Sequence, residues 1–97
     1  MAKSIFEYDP EKNRRNKEKH GFDLVEAQKL WDVEHIIIPA RIVGEEIRYT
    51  ILGKIGNRLM MAVFTRRGIA VRLITYHKAD KRLQKNYERA NYEKTES

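Results

Sequence analysis

An α+β fold is what these 97 residues predict: an antiparallel β-sheet meander with two N-terminal helices and a C-terminal helix, similar in order to β-α-α-β-β-β-β-α. Three observations carry the prediction. A polar segment near the N-terminus is bracketed by helix start and stop residues. The hydrophobic period changes from helical to two after Asp32. Turn residues then recur at short spacing through the second half of the chain.

SIFEYD opens the chain as a short β-type run suited to a sheet edge. Asp9 offers an N-cap, and Pro10 takes the first helical position, where its missing N–H costs nothing. Gly21 stops this helix, with Lys17, Lys19 and His20 in a last turn whose dipole favours positive charge. The helix, DPEKNRRNKEKHG, has no apolar residue to hold it to a core. A helix that is polar all round needs another reason to exist. Asp23, with Glu26 three residues on, reads as a capping box for a second helix, DLVEAQKLWD. There Leu24, Ala27, Leu30 and Trp31 share a face that points to a core.

Four strands follow: HIIIPARIV, EEIRYTILGKIG, NRLMMAVFTRRG and IAVRLITYH. Pro39 marks the first of them as an edge strand or a bulged one. Turns fall at Gly44, at Gly56-Asn57 and at Arg67-Gly68, which gives a meander. Leu59, Met61 and Val63 alternate with Met60, Ala62 and Phe64, so that strand is apolar on both sides and reads as central. The run from Ala79 to Lys94 is helical, with Leu83, Tyr87 and Ala90 as a thin apolar stripe. No repeat or linker divides the sequence, and residues 1–97 read as a single domain.

Twenty Lys+Arg against fourteen Asp+Glu leave a net charge of +6. In so short a chain this excess favours an anionic partner. There is no cysteine, which rules out a thiolate nucleophile, a disulfide framework and a cysteine zinc site. His20, His35 and His77 lack the close spacing of a metal motif, so no metal and no cofactor is expected. The longest apolar run is too short to span a bilayer, and the charged start is no signal peptide. No membrane role is expected, and the cytoplasm is the predicted compartment.

Two arginines interrupt strands. Arg48 sits with Glu46, Thr50 and Leu52 on one face, and Arg72 lies between Ala70 and Ile74. If their strands flank the central one, the two lie roughly 9–10 Å apart and can converge on one phosphate. The ordinary alternative is an ion pair with Glu46 or a side chain reaching water. Beyond Arg72 comes TYHK, in which Tyr76, His77 and Lys78 offer a phenol, an imidazole and an ammonium. Histidine takes and gives protons near neutral pH without tuning. On the polar helix, Lys12, Arg15 and Lys19 line one side, while Asn13, Asn16 and His20 line another. The first set suits an anion, and the second suits hydrogen bonding to the protein.

FEYDPEKNRRNKEKHG, followed by a helix carrying Glu26-Ala27, resembles the opening of the BrnT toxins. RYTILGKIGNRLMMAVFTRRG and RLITYHKA, with the Tyr87-Glu88 pair, resemble the rest of that family. The likeness runs from Phe6 to Tyr87, and four motifs in the right order carry it. It implies a RelE-like fold and the toxin half of a bacterial type II toxin–antitoxin pair, which cleaves RNA and halts translation. It further implies an antitoxin like BrnA, a DNA-binding protein of the ribbon-helix-helix kind, through which alone operator DNA is reached. Asn16 and the Lys19-His20-Gly21 stop match the BrnT pattern. Where BrnT sequences tend to show Arg-Ile-Ile-Ser-Ala-Arg, this chain reads Arg72-Leu73-Ile74-Thr75-Tyr76-His77, keeping the first arginine and replacing the second. Some RelE-like toxins place Tyr and His there as acid and base.

The expected function is therefore metal-independent endoribonuclease activity. Arg72, Arg48, His77 and Tyr76 are the candidate catalytic residues, and Lys12, Arg15, Lys19 and Lys78 the candidate RNA-binding ones. The alternative is a basic domain that grips RNA or DNA without cutting it. Strict alternation along the last strand would point His77 away from Arg72, so the catalytic assignment requires that strand to twist or end near Thr75.

Overall fold

The computed structural model describes residues 5–96. Strand β1 (Ile5–Glu7) leads to helix α1 (Pro10–His20) and a 3₁₀ helix (Leu24–Asp32). Strands β2 (His35–Val43), β3 (Glu46–Ile55), β4 (Arg58–Arg67) and β5 (Ala70–Lys78) follow, and helix α2 (Lys81–Glu96) closes the chain. The expected element order is present; of the run expected to form the first strand, Ser4 lies outside the described residues.

The five strands form one sheet in the order β1-β5-β4-β3-β2. Strands β2 to β5 are the expected antiparallel meander, with Gly56 and Gly68 at positive φ in two of its turns. The sheet as a whole is mixed, because β1 lies parallel to β5, with Glu7 opposite Arg72. A strand of three residues has no pattern that reports its partner's direction. The chain from β1 to β2 passes through both N-terminal helices and so reaches the opposite edge.

The second helix is 3₁₀ rather than α. Leu24, Ala27 and Leu30 recur every third residue, and all three are fully buried. At three residues per turn they form a single line, which packs onto the sheet and sustains a 3₁₀ run longer than usual. Trp31 falls just off that line and is only half-buried, its ring set edge-on against Phe6 and Phe64 with centroids 5.0 Å apart in each case. Gly53 on β3 lies beneath the end of this helix. A Cβ there would stand 3.2 Å from the Glu34 carbonyl oxygen and from side-chain atoms of Leu30 and Val33.

The central strand separates two cores. On one face Met60, Ala62 and Phe64 join Ile51, Val71, Leu73 and the 3₁₀ line. On the other, Met61 and Leu52 join Ala79 and Tyr87 near α2, with Leu59, Val63 and Leu83 partly buried. Asp80 caps α2 by accepting the Leu83 N–H at 2.9 Å.

Two register shifts re-aim side chains. Phe64 pairs with Leu73 but Val63 with Thr75, so Ile74 is an extra residue in β5. The bulge reverses alternation and puts His77, opposite Met61, on the same face as Arg72, opposite Thr65. This is the twist that the catalytic assignment required. A second shift, between Pro39 and Arg41 on edge strand β2, places Arg41 opposite Arg48. Arg41, Arg48, Thr65, Arg72 and Glu7 thus stand in one row across all five strands.

Helix α1 lies along the outer edge of β5, beyond the end of β1, and a single asparagine explains how. Asn16 is buried, donates from Nδ2 to the carbonyls of Tyr76 (2.9 Å) and Phe22 (2.8 Å), and accepts at Oδ1 from the Tyr76 N–H (3.1 Å) and Thr75 Oγ1 (2.8 Å). Its amide does for the free edge of β5 what a neighbouring strand would do. Asn13 accepts the Leu24 N–H at 2.7 Å. The Asn13-Asn16-His20 side of the helix faces the protein, fixed by hydrogen bonds instead of apolar burial. Its outer side is held by Arg14, which is paired with Glu11 and with Glu18 at 2.6 Å.

Candidate active site

Docking α1 against β5 brings its last residue, His20, onto His77. The two imidazoles stack with centroids 4.5 Å apart and an interplanar angle of 29°. They line a cleft of about 420 Å³ together with Lys19, Lys78, Arg58 and Phe22. His77 Nδ1 lies 2.8 Å from the Lys78 carbonyl oxygen. A carbonyl only accepts, so Nδ1 carries the proton and Nε2 is left for chemistry. Burial, followed by the nearby His77 and Lys19, holds His20 below its ordinary imidazole value, so its neutral, proton-accepting form is favoured. Two imidazoles among three cations can move protons while steadying negative charge on phosphorus.

Of the residues singled out from sequence, Lys19, His77 and Lys78 meet in this cleft. Lys12 and Arg15 lie exposed on the outer side of α1, with Arg15 Nε 3.7 Å from Glu11. Tyr76 is buried against Phe22, ring centroids 5.7 Å apart, within the core on the 3₁₀ face. Burial, with a smaller contribution from Glu26, pushes its phenol up, so it stays protonated. Arg48 and Arg72 occupy the row foreseen for them but each meets a carboxylate: Arg48 Nε lies 3.2 Å from Glu46, and Arg72 Nη1 3.3 Å from Glu7. The Arg48–Glu46 pair is the ordinary alternative weighed above. The Arg72 partner comes from β1, 65 positions away.

Arg58 carried no sequence signal, since it opens β4 beside a turn. His20 was legible as a helix-terminal residue on the inward side of α1, but its meeting with His77 depends on the packing. Among the described residues, no three of His, Cys, Asp and Glu gather to hold a metal ion. No described helix is long and apolar enough to cross a membrane.

The described structure is a helix-flanked sheet with paired imidazoles in a basic cleft. The model of the BrnT family, ribonuclease toxins of type II toxin–antitoxin systems, matches residues 8–82. This chain belongs to that family. Membership makes it a ribonuclease toxin, with RNA as substrate and an antitoxin as partner. No curated protein matches the chain in sequence.

Proposed function

We propose that this toxin is an endoribonuclease that cleaves RNA without a metal, using His20 and His77 as its acid–base pair. The stacked imidazoles in the Lys19-Lys78-Arg58 cleft carry this reading. His20, held neutral, takes the proton of the ribose 2′-hydroxyl. The 2′-oxygen attacks the adjacent phosphorus, the bond to the 5′-oxygen breaks, and protonated His77 delivers a proton to that oxygen from Nε2. The products are a 2′,3′-cyclic phosphate and a free 5′-hydroxyl, so atoms and charge balance with no further reactant. DNA, lacking the 2′-hydroxyl, offers no nucleophile.

Lys19, Lys78 and Arg58 surround the scissile phosphate, and Lys12 and Arg15 continue the cationic track along α1 from Lys19. Arg72 supports the RNA from the sheet once released from Glu7, and the buried Tyr76 supports the strand end that carries His77. The fold is RelE-like, the toxin acts in the cytoplasm by halting translation, and its antitoxin is a BrnA-like ribbon-helix-helix protein that alone contacts operator DNA.

The test is cleavage of an RNA oligonucleotide in EDTA. Wild-type protein should yield 2′,3′-cyclic phosphate ends and leave the matching DNA intact. His20→Gln and His77→Gln should each lose about 100-fold or more, the usual contribution of general acid–base catalysis. His20→Gln should also remove the fall in rate on the acid side, which lies below the ordinary imidazole value because the His20 pKa is lowered. Wild-type rates in both variants from about pH 5 to about pH 9 would dismiss the acid–base pair. RNA binding without cleavage would instead favour the non-catalytic, nucleic-acid-gripping alternative.

A further inference from the structure

On the α2 side of the sheet lies a second, larger concavity of about 770 Å³, which shares no lining residue with the imidazole cleft. Its floor is aliphatic, with Ile38, Met61 and Val63, and its rim carries Arg41, Arg48 and Arg82 against a single carboxylate among the described residues, Asp80, which is taken up in capping α2. Arg48 is paired with Glu46, but among the described residues neither Arg41 nor Arg82 has a carboxylate within ion-pairing distance. One wall is β2, the last strand of the sheet, and among the described residues no strand pairs with its outer edge. Every second residue of an edge strand points its N–H and C=O outward. This edge is nine residues long and apolar, with Ile42 71% and Val43 40% exposed. Proteins normally blunt such an edge or cover it.

We propose that this groove and the outer edge of β2 form the docking surface for the antitoxin, which lays down an extended segment of alternating apolar and carboxylate side chains. The proposal rests on the toxin–antitoxin reading. The segment adds a strand beside β2 through main-chain hydrogen bonds. Side chains on its groove side set carboxylates against Arg41 and Arg82 and apolar groups onto the aliphatic floor. The bulge between Pro39 and Arg41 matters here, because without the extra residue Arg41 would project from the opposite face to Ile38. RNA fits this surface less well. It has no main-chain ladder to offer β2, and among the described residues that line the groove there is no aromatic ring on which bases would stack. A second copy of this chain would bring two arginine-rimmed grooves together, where like charges repel.

The test uses the antitoxin co-expressed with this toxin, the non-cleaving His77→Gln form of the toxin as host, and Arg41→Glu with Arg82→Glu as the probe. Both probe positions are exposed, and an unchanged circular dichroism spectrum of the free double variant checks its fold. The double variant should lose antitoxin affinity by about 100-fold or more, with a slower and less salt-sensitive association. Hydrogen exchange should show the outward-facing amides of β2, every second one along the strand and none at Pro39, newly protected in the complex. Wild-type affinity in the double variant, or unprotected β2 amides, overturns the proposal. So does protection of β2 in a concentrated, dimeric free toxin, which would mean a second copy on the edge, or protection by an RNA oligonucleotide alone. An antitoxin that fails to bind unmutated toxin overturns both this proposal and the toxin–antitoxin reading. Failure of RNA cleavage touches only the imidazole pair, because binding and exchange report docking alone.

Discussion

The two faces of the sheet are built for different purposes. The face under the 3₁₀ helix is closed: Phe64 is fully buried, stacked on Tyr49 at 5.4 Å and flanked edge-on by Trp31, with Leu24, Ala27 and Leu30 sealing the layer. Among the described residues, the face under α2 has four buried core residues and a groove rimmed by arginines. A central strand apolar on both sides made each layer possible, yet only one was completed. Stability therefore resides mainly on the 3₁₀ side, while the open side and the α1 edge are left for partners and chemistry.

The sharpest way to break that contrast is to empty the closed face. Phe64→Ala should destabilise the protein by about 3–5 kcal/mol, whereas Leu83→Ala, at a partly buried position on the open face, should cost about 1–2 kcal/mol. Urea denaturation of both variants measures the gap, and equal losses would mean that the two faces share the load. Next in size is the hinge between the faces. Asn16→Ala leaves the Tyr76 and Phe22 main-chain groups without their partner and should cost about 2–3 kcal/mol. It should also loosen the His20–His77 stack, which NMR contacts between the two rings would report.

The smallest effect is a pH dependence. The pKa of His20 is lowered in the fold relative to the unfolded value of 6.5. The unfolded state therefore binds protons more readily in the window below 6.5. Stability is full above that value and is lost as the pH falls through it toward the lower folded value. The melting temperature should drop slightly on acidification across this window, and His20→Gln should flatten that drop. A wild-type melting temperature that rises on acidification would contradict the direction of the shift.

Most of the architecture was legible because its signals are local. The Asp9-Pro10 start and the Gly21 stop delimit α1 within a few residues, and alternation identified β4 as the central strand. The α1 face of Asn13, Asn16 and His20 was legible in the same way, from helical spacing alone. The site was less so. Arg48 and Arg72 stand in the row their alternation implied, but their carboxylate partners differ in how visible they were. Glu46 is two residues from Arg48, while Glu7 reaches Arg72 only through the parallel pairing of β1 with β5.

The sequence by itself determined the order of elements, the turns, the basic character of the surface and the apolar character of both sides of β4. These depend on backbone preferences and on periodicity over a few neighbouring residues. Tertiary structure alone decided that the second helix is 3₁₀, that β1 runs parallel at the far edge and that a bulge at Ile74 turns β5, whereas Pro39 already marked β2 as an edge or bulged strand. It also decided that His20 meets His77. That contact spans most of the chain and depends on Asn16 binding the exposed main chain at Tyr76, a preference satisfied only once β5 has an unpaired edge to offer.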